Sequence, residues 1–137
     1  MITSFTGEYR WLSNFFPCTI YYDGMEFRSV EHAYQAAKTQ DYIYRTHILN
    51  AVSAADAKKY GSSIPLRADW ESIKLDVMFM LLSQKFNQSP FAERLTATGN
   101  QELVEGNYWG DKFWGVHSDG EGQNNLGKML MKIRNLK

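Results

Sequence analysis

Residues 29–38 place a carboxylate, an amide and an amine at the spacing of one helix face. At about 100° per residue, Gln35 lies roughly 40° and Lys38 roughly 20° from Glu31 around a helix axis. The three side chains therefore share one stripe, which we call the polar stripe. Residue types alone leave two interpretations open, a solvent-exposed helix face or one side of a reactive site.

The polar stripe has the groups for acid–base and nucleophilic chemistry. Glu31 stands in the first helical turn, where the helix dipole favours a carboxylate. That carboxylate could stabilise an oxocarbenium-like sugar or orient a water, and a partly buried acid could donate a proton. Lys38, if aromatic neighbours exclude water from it, would become a neutral nucleophile. His32 and Tyr34 flank the stripe and, with Gln35, are candidates for binding a substrate.

A second group of candidates lies in residues 105–115, where carboxylates alternate with tryptophans and glycines. Aromatic rings stack on bases and sugars, and glycines let the backbone approach a ligand. Glu105, Trp109, Asp111 and Trp114 are the candidates here. The alternative is a structured loop whose tryptophans fill the core, and it stays open for Trp114.

Residues 119–127 form a third candidate site, in which glycines lead into a helix N-terminus. Free N–H groups and the helix dipole favour phosphate at such a place. Gly122 and Asn124 are the candidates, with a plain helix cap as the alternative. The segment lacks both the Lys-Ser/Thr pair of a P-loop and the G-x-G-x-x-G spacing of a dinucleotide site.

Composition predicts one domain over residues 1–137. The chain is 44% hydrophobic and 15% aromatic, which suffices for a single core. Fifteen basic residues balance fifteen acidic ones, whereas proteins that bind nucleic acid mainly through phosphates carry a basic excess. A sequence-specific DNA binder is therefore disfavoured.

Metal, disulfide and membrane chemistry find no support in the sequence. The three histidines lie apart with no H-E-x-x-H spacing, so we expect neither a metal nor a cofactor. Cys18 is the single cysteine, and the longest uncharged apolar run, residues 77–82, is too short to cross a bilayer. Residues 1–8 lack the pattern of a signal peptide. We expect a cytoplasmic protein with no obligate protein partner.

The order of elements predicts an α+β, mostly helical fold with a small antiparallel hairpin. Strands at 18–22 and 25–28 flank the turn Asp23-Gly24, after an aromatic loop at 9–17. Helices are predicted from Ser29 to about Lys38, over 42–49, from the cap Ser53 to Gly61, over 70–86 behind Asp69, from Ser89-Pro90 to before Gly99, and after Asn124 or Asn125. A short strand is predicted at 103–105, followed by a loop over 106–122.

Taken in order, these pieces resemble the YbiA-like, or NADAR, family. The matching segments include LSNFFP at 12–17, EHAYQAAK at 31–38, RADW at 67–70, KF at 85–86, LVE at 103–105, Asp111 with WG at 114–115, GQN at 122–124 and LG at 126–127. No single segment is specific, but the ordered set covers nearly the whole chain. The sequence departs from the family pattern at Ala68, where proline is common, and at His117, where glycine often stands.

The resemblance implies an N-glycosidase that cleaves ribosylated heterocycles. The family's functional positions correspond to Ser13, Asn14, Glu31, His32, Lys38, Asp69, Trp70, Glu105, Asp111 and Trp114. Two substrate classes follow, ADP-ribose attached to guanine in nucleic acid or nucleotide, and the phosphoribosylated pyrimidine intermediates of riboflavin synthesis.

The first substrate class, ADP-ribosylated guanine, is our expectation, with Glu31, Lys38 and Asp111 as the catalytic residues. Arg10, Arg67 and the turn at 122–127 are the candidates for holding phosphate. The alternative from another class is a module that binds ADP-ribose without cleaving it. Such a module needs neither a carboxylate nor an amine at C1, so the presence of both favours the enzyme.

Overall fold

A computed structural model describes residues 1–137, with seven helices and four short strands. The chain divides into two compact units. One is Asn14–Lys85, and the other combines Met1–Ser13 with Phe86–Lys137. None of the seven helices has the length and apolar character that a bilayer crossing requires. The prediction of a single domain over 1–137 stays a prediction.

The unit Asn14–Lys85 begins with the predicted hairpin. Strands β1 (Ile20–Tyr22) and β2 (Met25–Phe27) pair antiparallel around the turn. Asp23 and Gly24 both adopt positive φ, 48° and 78°, as a tight two-residue hairpin turn requires. The expectation that Cys18 lies in the strand is wrong, because that half-buried residue precedes β1.

Four helices follow the hairpin: α1 (Val30–Ala37), α2 (Tyr42–Leu49), α3 (Ala54–Gly61) and α4 (Trp70–Lys85). The predicted cap Ser29 accepts a hydrogen bond from the His32 N–H at 3.0 Å, and Ser53 caps α3 in the same way. Helix α1 packs against α2, α3, α4 and the hairpin, and all of its residues are buried. It is the central element of this unit.

The second unit holds a 3-10 helix (Gly7–Leu12), α5 (Phe91–Ala97), α6 (Asn125–Asn135) and a parallel pair of two-residue strands, β3 (Gly106–Asn107) and β4 (Val116–His117). Two predictions are corrected here. The first half of the aromatic loop at 9–17 is helical, because Trp11 and Leu12 turn inward to be buried. The predicted strand at 103–105 is instead a single bridge from Leu103 to Ile2, and regular pairing begins at Gly106.

Candidate active site

The polar stripe of α1 is buried. Glu31 is 7% exposed and Gln35 is 3% exposed, while Lys38, at the C-cap, is half-buried. The interpretation of the stripe as a solvent-exposed face is therefore wrong. Its polar groups face other parts of the protein because α1 is enclosed by neighbouring elements. Buried polar side chains are costly unless they are paired or used for function.

The amine of Lys38 lies in a setting that lowers its pKa. Burial lowers the pKa of Lys38, and the Glu31 carboxylate partly offsets that effect. The positive charges of Lys58 and Lys74 lower it further. The Lys38 Nζ atom also lies 5.7 Å from the centroid of the Tyr34 ring. The amine is thus more often unprotonated, and more nucleophilic, than that of an exposed lysine.

The Tyr34 ring beside this amine packs against an aromatic ring of a second helix. The Tyr34 and Trp70 rings are 5.2 Å apart at 57°, and both are buried. Trp70 begins α4, so the contact fixes the start of that helix against α1. Tyr34 thus connects two other predicted site residues, since its ring lies near the Lys38 amine and packs against Trp70.

The segment before α4 is tied to the end of α1 through Arg67. Its backbone N–H donates to the Lys38 carbonyl at 2.8 Å, and its guanidinium donates to Asp69 at 2.6 and 3.2 Å. Arg67 holds the pKa of Asp69 below its usual range. The backbone of Arg67 thus contacts Lys38, while its guanidinium is already paired with the Asp69 carboxylate.

Asn14 lies at the start of α1. The Glu31 N–H donates to the Asn14 carbonyl at 3.1 Å, and the Asn14 side-chain amide contacts the Met78 sulfur at 3.5 Å. Its Oδ1 atom is buried and accepts no hydrogen bond from the protein. The backbone of Asn14 is therefore held next to Glu31, and the binding role of its side chain stays a prediction.

His32 uses both ring nitrogens inside the protein. Nδ1 lies 2.7 Å from the Ser29 hydroxyl and Nε2 lies 3.1 Å from the Ala51 carbonyl. Burial lowers the pKa of His32, which favours a neutral ring that donates to Ala51 and accepts from Ser29. The structure thus gives His32 a part in anchoring α1, and its contact with a substrate stays a prediction.

Lys85 is a charged residue that the sequence interpretation passed over. It is 0% exposed at the end of α4, and its Nζ lies 5.9 Å from the Phe16 ring centroid. Burial lowers the pKa of Lys85 to about 8, an effect that the nearby Cys18 thiol opposes. Helical spacing could have predicted that Lys85 is buried, since it follows the buried Met78, Leu81 and Leu82 by seven, four and three residues.

The free energy of unfolding is expected to rise between about pH 8 and pH 10.5 because of Lys85. Its pKa is near 10.5 when unfolded and about 8 when folded, so the unfolded chain binds more protons in that window. The rise should be about 3 kcal/mol. Urea denaturation of the wild type and Lys85→Met across this range measures it, since the variant lacks the titrating amine. Parallel pH profiles for the two proteins would contradict the prediction.

In the second unit, Asn107 and Asp111 build the loop that joins β3 to β4. The Asn107 amide donates to Glu105 Oε2 at 3.1 Å and to the Asp111 carbonyl at 2.9 Å, and Asn107 Oδ1 accepts from the Asp111 N–H. Asp111 Oδ1 in turn accepts from the N–H groups of Phe113 and Trp114. The Asp111 carboxylate thus has a structural task, and its catalytic role stays a prediction. Sequence reasoning missed Asn107.

The two loop tryptophans have different surroundings. Trp109 is 53% exposed beside the exposed Tyr108. Trp114 is half-buried and packs edge-on against Phe113, with ring centroids 4.8 Å apart. The structure leaves both the stacking and the core interpretation of Trp114 in place.

Replacing Trp114 by phenylalanine separates those interpretations. If the indole stacks on the base, binding of substrate or product should weaken by roughly 1–3 kcal/mol while the melting temperature changes little. Titration calorimetry and thermal unfolding measure the two quantities, with Trp109→Phe as the matched variant on the same loop. A lower melting temperature with unchanged affinity would mark Trp114 as a core residue.

In the predicted phosphate site at 122–127, backbone N–H groups already have partners within the protein. Four N–H groups entering α6, those of residues 123–126, donate to carbonyls of residues 112–115. Asn124 occupies the cap position without a side-chain cap bond, and its amide instead joins Leu103 and Glu105. Gly122 fits closely against the Gly115 carbonyl. These groups bind the protein's own backbone, and the phosphate-binding role of the turn stays a prediction.

The remaining two candidates lie near the chain start. Arg10 is exposed, and its guanidinium donates to the Gly7 carbonyl at 3.0 Å. Ser13 is half-buried after the 3-10 helix, where its N–H donates to the Arg10 carbonyl. Their binding roles stay predictions.

Comparisons with known proteins agree with the resemblance drawn from the sequence. Residues 4–136 match the model of the NADAR domain. A riboflavin biosynthesis protein of Vibrio vulnificus is 40% identical over 130 residues, which are 93% of this chain but only 35% of that protein. The N-glycosidase YbiA of Escherichia coli is 38% identical over 134 residues, 96% of this chain and 83% of that one. The chain thus spans about a third of the first relative and most of the second.

The predicted fold is confirmed by a solved structure. The NMR structure of E. coli YbiA matches 98% of this chain and 82% of that chain, with a TM-score of 0.86 and 36% identity. An α+β, mostly helical fold with a small antiparallel hairpin is therefore shared by the two proteins.

Proposed function

This chain belongs to the NADAR family, and we propose that it is an N-glycosidase acting on ADP-ribosylated guanine. The bond that it hydrolyses joins the guanine to C1 of the ribose in the attached ADP-ribose. The observation that carries the proposal is the buried polar stripe. A carboxylate, an amide and an amine whose pKa is lowered stand along one face of an enclosed helix.

Cleavage at C1 needs the groups that the stripe supplies. The transition state carries positive charge on the sugar, which a carboxylate such as Glu31 stabilises. As the base leaves, C1 must be attacked by a water or by a nucleophilic side chain. The amine of Lys38 is such a nucleophile when it is neutral. A module that only binds ADP-ribose has no use for a desolvated amine, which supports hydrolysis over simple binding.

The substrate's diphosphate requires positive charge near the stripe. Lys58 and Lys74 are our candidates for it, because the positive charges of both lower the pKa of Lys38; Lys74 also pairs with Glu71 at 2.8 Å. We prefer them to the turn at 122–127, whose N–H groups bind backbone carbonyls. Because ADP-ribose carries its own diphosphate, a chain of zero net charge can bind the adduct without a long basic surface.

A second candidate substrate is a phosphoribosylated pyrimidine of riboflavin synthesis. One observation favours it: a relative named as a riboflavin biosynthesis protein is 40% identical over 93% of this chain. The chemistry is shared, because in this substrate too a heterocycle is attached at C1 of a ribose that carries a phosphate. The two candidates differ in the base and in the number of phosphates.

Parallel incubations with both substrates test the proposal. The protein is mixed with an oligonucleotide bearing ADP-ribosylated guanine and, separately, with the phosphoribosylaminopyrimidine, and products are read by mass. We expect free ADP-ribose and unmodified oligonucleotide in the first reaction, at a higher rate than release in the second. Faster release from the pyrimidine would favour the second candidate. Tight binding of ADP-ribose with no release in either reaction would indicate a binding module.

A further inference from the structure

Gly61, the last residue of α3, has no local reason to be glycine. Its φ is not among the positive values found at glycines in turns. Glycine inside a helix is less favourable than alanine, because it loses more backbone entropy on folding. Gly61 is also buried, so exposure does not explain it either. The remaining reason is space.

The space beside Gly61 is occupied by the Gln35 side chain of α1. A Cβ atom built there would overlap Gln35 Oε1 and would lie 2.7 Å from its Cδ and 2.9 Å from its Cβ. The three nearest atoms to that Cβ all belong to Gln35. Helices α1 and α3 are in contact, so the glycine lets the Gln35 side chain fit between them.

The fit also orients the Gln35 carboxamide. Its Oε1 atom is buried, accepts no hydrogen bond from the protein, and lies against the Gly61 backbone. An oxygen suits that position, because a Cα–H group is a weak hydrogen-bond donor. The nitrogen of a carboxamide lies on the opposite side of its carbon from the oxygen. The NH₂ group of Gln35 therefore points away from Gly61.

Gln35 lies between the two candidate catalytic residues along the axis of α1. At 1.5 Å per residue, Glu31 lies about 6 Å before Gln35 along the axis of α1, and Lys38 lies about 4.5 Å after it. A buried amide without a protein partner for its oxygen is costly, and an apolar residue would fill the site more cheaply. The amide therefore points to a ligand.

We propose that Gln35 donates a hydrogen bond to a hydroxyl oxygen of the substrate ribose, and that Gly61 is the positioning residue that orients it. This rests on the proposed function, in which Glu31 and Lys38 act at C1 of that sugar. The ribose is the part that both candidate substrates share. Its hydroxyl oxygens are the hydrogen-bond acceptors nearest to C1. Gln35 contributes to recognition of the sugar, whatever base is attached.

A double-mutant cycle on ADP-ribose binding tests the proposal. Gly61→Ala and Gln35→Ala should each raise the Kd for ADP-ribose about tenfold, the worth of one hydrogen bond. The double variant should bind no more weakly than Gln35→Ala alone, because the amide that Gly61 orients is already absent. Ser62→Ala, at the exposed neighbouring position, serves as control.

The outcomes separate this inference from the proposed hydrolysis. Additive effects, or unchanged affinity in Gly61→Ala, would overturn the positioning role. Normal affinity in Gln35→Ala would show that the amide does not bind the sugar. A wild-type protein that binds no ADP-ribose would contradict the proposed substrate, and the same cycle is then measured with the phosphoribosylaminopyrimidine, which carries the same sugar. A wild-type protein that binds ADP-ribose and cleaves neither substrate contradicts the hydrolysis alone, and the cycle still reports on Gln35 and Gly61.

Discussion

Replacing Glu31 by glutamine is expected to preserve the fold and to lower the turnover rate by about 10² to 10⁴. Glu31 is the only acid on the polar stripe, and its charge interacts with Lys38. Glutamine keeps the shape of the side chain and the N–H that donates to the Asn14 carbonyl, but it cannot carry negative charge or transfer a proton. Single-turnover rates on the preferred substrate, with circular dichroism for the fold, measure the effect.

An exposed carboxylate provides the control for Glu31. Glu26, on the hairpin, accepts a hydrogen bond from the Tyr21 hydroxyl at 2.9 Å and is exposed. Glu26→Gln should keep the wild-type rate, because it removes a charge of the same kind outside the stripe. A folded Glu31→Gln protein with wild-type activity would remove Glu31 from the mechanism.

Local sequence signals predicted most of the unit that carries this stripe. Asp23-Gly24 specifies a two-residue hairpin turn, and Ser29 and Ser53 are helix caps whose bonds depend on residues three positions away. Such signals act over a few residues, so one sequence suffices to read them. The strands β3 and β4 escaped prediction because each has two residues and its partner is ten positions away.

The site itself was predictable in residue type but not in burial. Helical spacing puts Glu31, Gln35 and Lys38 on one stripe, yet whether that stripe meets solvent depends on how α3 and α4 pack over it. The predicted phosphate site at 122–127 depends on packing in a similar way. Its N–H groups are available in the isolated segment, but carbonyls of residues 112–115 reach them in the folded chain. Contacts between distant segments decided both outcomes.

The packing that buries the polar stripe also makes Lys38 the residue whose substitution should affect the reaction most. We expect Lys38 to attack ribose C1 and form a transient imine with the opened sugar, and Lys38→Arg to abolish that intermediate. The neutral amine forms the C–N bond, and the base leaves with the electron pair of its own bond and takes up a proton. Ring opening gives the imine, which water then hydrolyses. Burial lowers the pKa of Lys38, so a larger fraction of amine is neutral near pH 7.

Borohydride added during turnover tests this mechanism, because it reduces an imine to a stable secondary amine. Mass analysis should find the sugar on the peptide that contains Lys38. Arginine keeps the positive charge but is not deprotonated in proteins, so Lys38→Arg should yield no adduct and little product. Lys59→Arg, at an exposed position of α3, should trap as the wild type does. A near-normal rate in Lys38→Arg, or no adduct at saturating substrate, would instead give Lys38 an electrostatic role, holding a phosphate or the departing base.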